Sequence, residues 1–142
     1  MATPGQSGGV VRFRVRYSDT DQMGTYSSAR VLEWFESGRT EFLRSIGLPY
    51  AEIEARGVFC PVVEAHVNYR GRARYDDLLR MTTTAALSGK ARVRFDVQIV
   101  HDASGAAVAD GYTVHAFIAE GKPVRPPNWF LEALARGACS KE

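Results

Sequence analysis

The hydrophobic pattern changes period twice along the chain. From Val10 to Tyr17, apolar and basic positions alternate, with Val11, Phe13, Val15 and Tyr17 on one side and Arg12, Arg14 and Arg16 on the other. Period two predicts a half-buried strand with a basic outer face. Ser18 to Tyr26 is rich in residues that favour irregular backbone. The period then becomes helical: Val31, Phe35, Gly38, Phe42 and Ile46 share a face that Leu32, Trp34 and Leu43 widen. Glu33, Arg39, Glu41 and Arg44 fall between them. Ser27 or Ser28 offers an N-cap, and Gly47 with Pro49 ends the helix. So broad an apolar stripe predicts a helix embraced by a sheet. Gly38 costs up to ~1 kcal/mol in mid-helix, which predicts a close backbone approach there.

After a short helical turn over Pro49 to Arg56, period two returns and persists. Strands are predicted over Phe59 to Tyr69, Leu78 to Leu87, Lys90 to His101 and Ala107 to Ala119, with Ser88-Gly89 as a tight hairpin. An extended connector, 121–127, leads to a closing helix over Asn128 to Ala135. Residues 1–9 read as a flexible tail and 10–142 as one domain. The resulting class is α+β, an antiparallel sheet of about five strands wrapped round one long helix. One helix covers only one face of such a sheet, so a second copy of the chain is expected to complete the assembly.

Composition narrows the function classes. A formal net charge of +2 over 142 residues is too small to point to nucleic acid. No apolar run approaches the ~20 residues of a membrane span, and the first residues lack the apolar core of a signal peptide. Cys60 and Cys139 read as unpaired thiols, which makes a cytoplasmic location the expectation. The three histidines have no metal-ligand spacing, and no Gly-rich phosphate loop or nucleophile elbow is present, so neither metal nor cofactor is expected.

The remaining chemistry is concentrated in Tyr17-Ser-Asp19-Thr-Asp21-Gln-Met-Gly24, an acidic turn feeding the helix. On the residues alone, Asp21 is either a turn-capping carboxylate or one that reacts beside the helix N-terminus. Tyr17, Asp19-Thr20-Asp21 and Gly24, followed by Trp34-Phe35-Glu36, Arg39, Glu41, Leu43-Arg44 and Gly47-Leu48-Pro49, resemble the hotdog-fold acyl-CoA thioesterases of the 4-hydroxybenzoyl-CoA thioesterase type. Tyr75-x-Asp77-x-Leu79 and Lys122 to Pro127 extend the similarity to about residues 10–135.

The resemblance implies a hotdog fold and hydrolysis of an acyl-CoA, or acyl-carrier-protein, thioester at the interface of a homodimer or homotetramer, without a metal. Asp21 falls on the family's catalytic carboxylate, nucleophile or general base, and the backbone N–H groups around Ser28 would polarise the thioester carbonyl. Tyr17 is either a core residue at the strand end or, as the family often has it, beside the site, and Gly24 falls beside the site. Glu36 either reaches the acyl group across the interface or pairs with Arg39. Lys90, Arg92 and Arg125 either bind the CoA phosphates or form a solvated basic face. Asp19 is assigned to the turn.

The sequence departs from the family at the helix entry, where Ser28 and Arg30 replace the usual histidine or tyrosine and asparagine. Two other readings follow: a non-catalytic acyl-CoA-binding protein, which the altered entry favours, and a hotdog enzyme of dehydratase type, against which the Asp-Thr-Asp turn speaks.

Overall fold

The computed structural model describes residues 9–139. Of the expected N-terminal tail, residues 1–8 lie outside the described residues, whereas Gly9 is buried against the Thr83 carbonyl and Phe42. The elements are β1 (Val10–Arg14), α1 (Val31–Ser45), α2 (Tyr50–Ala55), β2 (Val58–Phe59), β3 (Val62–Tyr69), β4 (Leu78–Ser88), β5 (Arg92–His101), β6 (Ala107–Ala119), β7 (Lys122–Val124) and α3 (Asn128–Cys139). Two 3-10 turns, Tyr17–Asp19 and Ser28–Arg30, bracket the acidic turn.

The sheet is antiparallel throughout, with β1, β4, β5, β6 and β3 side by side. It has seven strands rather than about five. Pro61 splits the expected strand over Phe59 to Tyr69 into β2 and β3, and part of the expected connector pairs with β6 as β7. Proline has no N–H to continue a ladder, and Cys60 turns its own N–H to the Tyr50 hydroxyl at 2.9 Å. Two further boundaries move. The first strand stops at Arg14, so Val15 is buried while Tyr17 is 79% exposed in the 3-10 turn. Gly89, at φ +69°, opens a three-residue turn that moves Lys90 out of β5.

Helix α1 lies across β1, β4 and β5. Val31, Trp34 and Phe35 from its first half pack with Leu79, Met81 and Ile99. Phe42 and Leu43 from its second half pack with Ile53, Phe95, Phe117 and Phe130. The close approach expected at Gly38 is present: a Cβ there would stand 2.6 Å from Thr83 Oγ1 and 3.2 Å from Met81 Sδ. Leu32 is the exception to the predicted stripe and is exposed. Gly47 ends the helix at φ +82°. On the side of the sheet far from β1, strand β3 pairs with β6 alone. Phe59, Val62, Val63 and Tyr69 are exposed along that edge.

Candidate active site at the start of the long helix

The acidic turn is a small, fully wired unit. Asp19 is 1% exposed and is consumed by structure. Its carboxylate accepts the Arg16 amide at 2.8 Å and the Arg16 guanidinium at 3.1 Å, and its carbonyl accepts the Ser27 N–H at 2.7 Å. Asp21 sits at the tip with the opposite character. Its N–H donates to Thr25 O and its carbonyl accepts the Gly24 N–H, each at 3.0 Å, closing a tight turn. Gly24 holds φ +80°, a conformation that favours a residue without Cβ. The Asp21 side chain is exposed, and only Oδ1 is bonded, by the Met23 N–H at 2.9 Å. Oδ2 has no partner among the described residues.

The loop over 70–77 secures this turn from behind. Ala73 O accepts the Tyr26 N–H at 2.9 Å and the Thr25 hydroxyl at 3.1 Å. Tyr17 stacks edge-to-face on Tyr75 from the same loop, with ring centroids 5.8 Å apart.

The helix entry differs from the expected cap. Neither Ser27 nor Ser28 caps through its side chain; the chain enters α1 by the 3-10 turn over Ser28–Arg30. The N–H groups of Ser28 and Ala29 precede the first intrahelical bonds, so no carbonyl of the helix receives them. The Tyr69 hydroxyl donates to Ser28 O at 3.1 Å, which ties this entry to the far end of β3. A free carboxylate and free helix-start amides therefore occur within one short, hydrogen-bonded stretch. That combination suits attack on a carbonyl whose oxygen gains negative charge.

The other expected residues are distributed along the molecule. Glu36 is exposed on α1 and makes no ion pair with Arg39 among the described residues, although its charge acts on that guanidinium. Lys90, Arg92 and Arg125 are exposed and share one end of the sheet: Arg92 faces Ser88 and Ala116, while Val124 faces Phe117. Asp21 lies towards the opposite end, near the start of β4, where Leu78 faces Arg14. The ten steps of β4 from Leu78 to Ser88 cover ~33 Å. Within one chain these cations and Asp21 are not brought together.

A cavity of about 240 Å³ lies between α1, α2 and the β2–β3 break, with Glu36, Arg39, Val62, Phe95 and His115 in its wall. Sequence reasoning missed Arg39 as a functional candidate. The available signal was its position four residues after Phe35, at the edge of the apolar stripe. His115 is buried beside it. His115 Nδ1 meets Cys60 O at 2.8 Å and Nε2 meets Thr113 Oγ1 at 3.0 Å. A carbonyl only accepts, so Nδ1 carries the proton.

Burial holds His115 neutral and pulls its pKa from 6.5 down to about 4. The folded value lies below the unfolded one, so this histidine's contribution to stability is complete above pH 6.5 and is lost as pH falls towards about 4. Urea midpoints measured between pH 7 and pH 4 should decline through that window. His115→Gln should flatten that part of the decline. Burial also pushes the Cys60 thiol up to about 12, so it is not a nucleophile at neutral pH.

Among the described residues no group of His, Cys, Asp and Glu could hold a metal, and no helix is long and apolar enough to cross a membrane.

Comparison with known proteins gives this geometry a family. Residues 15–134 match the model of the thioesterase-like superfamily. Acyl-CoA thioesterase YbgC of Haemophilus influenzae is 31% identical over 90 residues, 63% of this chain and 66% of that protein. A solved Thermus thermophilus protein is 34% identical and superposes with a TM-score of 0.84, covering 89% of this chain and 97% of its own. The 1,4-dihydroxy-2-naphthoyl-CoA thioesterase of Synechocystis shares the fold, with a TM-score of 0.82 at 24% identity over 89% of this chain and 94% of its own. The chain therefore belongs to the thioesterase-like superfamily and has the hotdog fold of its thioesterases.

Proposed function

We propose that this protein hydrolyses acyl-CoA thioesters, with Asp21 as nucleophile or general base and the Ser28 and Ala29 amides as oxyanion donors. The observation that carries the reading is the division of labour in the acidic turn: Asp19 is buried and fully bonded, whereas Asp21 is exposed with one oxygen free. Attack on the thioester carbon, by Asp21 or by a water it activates, moves charge onto the carbonyl oxygen. The preorganised amides receive that charge, and collapse of the adduct expels CoA thiolate. If Asp21 is the nucleophile, water then opens the acyl-aspartyl anhydride and regenerates the carboxylate.

The proposed working unit is a homodimer formed through β3. Its outer edge leaves ladder groups unpaired and carries exposed Val62 and Tyr69 at its two ends, features that favour addition of another strand. Antiparallel pairing of two copies would set the Val62 end of one beside the Tyr69 end of the other. It would bring Lys90, Arg92 and Arg125 of one copy towards Asp21 of the second, where the CoA phosphates need cations.

A panel of acyl-CoA and acyl-carrier-protein thioesters, read by free thiol release, tests the activity and the carrier together. Turnover of at least one acyl-CoA is expected. Tight binding without thiol release would instead support the non-catalytic reading that the altered helix entry favours.

A further inference from the structure

The Arg39 cavity calls for an anion. Arg39 carries five N–H donors and has no hydrogen-bond or ion-pair partner among the described residues. It is half-buried on the β3 side of α1, in a wall otherwise made largely of Leu43, Val62, Val93 and Phe95. Burial lowers its pKa, the response of a cation removed from water without a full counter-charge. The other polar groups in the wall compensate it only in part, because Glu36 and Tyr50 act on it through space without a hydrogen bond or ion pair. The Tyr50 hydroxyl is engaged by the Cys60 N–H, and both His115 nitrogens are bonded. Glu36 remains exposed at the rim. A guanidinium held this way gains most from a carboxylate delivered by a ligand, which it can meet in bidentate geometry.

The cavity also has an entrance. It shares Glu36, Arg39 and Val62 with the groove between α1 and β3, so it opens where the second copy would dock. In that dimer, the Val62 end of one chain faces the Tyr69–Ser28 end of the other, and hence the other chain's Asp21 turn.

We infer that this cavity receives the acyl group of the thioester cleaved at the second copy's Asp21, and that Arg39 selects short acyl groups ending in a carboxylate, the monothioesters of dicarboxylic acids. This rests on the hydrolase reading and on the dimer, so its test is binding rather than turnover.

Asp21→Asn protein is titrated calorimetrically with glutaryl-CoA and with pentanoyl-CoA, which match in length and differ in the terminal carboxylate. The glutaryl thioester should bind at least ~10-fold tighter. Adding Arg39→Met, which keeps the bulk of the side chain, should erase the difference, and Arg39→Lys should restore part of it. Equal binding of the two thioesters to the Asp21→Asn protein would overturn the inference, as would an Arg39→Met loss shared equally by both. Thiol release by the wild-type protein is scored separately. An absence of hydrolysis counts against the function, while the binding difference alone decides the role of Arg39.

Discussion

Asp21→Asn should lower kcat/KM on the best acyl-CoA by ~10³-fold or more while leaving the thermal midpoint nearly unchanged. General-base catalysis alone contributes ~10²–10⁴-fold, and removal of a nucleophile costs at least as much. The amide keeps the volume and the acceptor that bonds the Met23 N–H, so the turn survives. Asp19→Asn should show the reverse order of effects. Its carboxylate is buried against the Arg16 amide and guanidinium, and breaking that arrangement costs ~1–3 kcal/mol of stability. Its activity should fall only as the turn loosens. Wild-type turnover by purified Asp21→Asn would remove this turn from the chemistry altogether.

The second large effect concerns the sheet. At Gly111 an added Cβ would collide with the His66 carbonyl oxygen and crowd Val67 Cα across the β3–β6 ladder. Those are backbone atoms in register, His66 with Tyr112 and Val67 with Gly111, and no side-chain rotation relieves them. Gly111→Ala should therefore cost about 3 kcal/mol or more and displace β3. Because the proposed dimer forms through that strand, the variant should also lose mass in light scattering at concentrations where the wild type is dimeric. A variant that is fully dimeric, with an unchanged denaturation midpoint, would show that the edge tolerates the displacement.

Much of the architecture is legible in the residues. The alternation over Val93, Phe95, Val97 and Ile99 marks β5 because that strand is buried on one face only. The stripe from Val31 to Ile46, with Gly38 at its centre, likewise announces a helix pressed closely onto a sheet. The short strands were not legible. Val58–Phe59 and Lys122–Val124 are too brief to show a period and exist because β6 extends far enough to pair with them. In the candidate site, the family resemblance assigns Asp21 to the chemistry and Asp19 to the turn, but the physical ground for separating them, the Arg16 amide and guanidinium closing on a buried Asp19, is visible only in three dimensions. Arg39 escaped notice because helical spacing alone does not reveal a cavity closed by α2, the Pro61 break and α3.

The distance along β4 between Asp21 and the Lys90–Arg92 turn has a genetic consequence. If each active site draws its carboxylate from one chain and its cations from the other, two defective chains can repair each other. A population carrying only Asp21→Asn, or only Lys90→Ala with Arg92→Ala, would have no intact site. Co-expressed, they would form mixed dimers in which one site inherits both lesions and the other inherits neither. Recovery of activity on mixing would be complementation between alleles of a single gene. A site built within one chain would show no such rescue, since every carboxylate-deficient chain would remain dead whatever its neighbour.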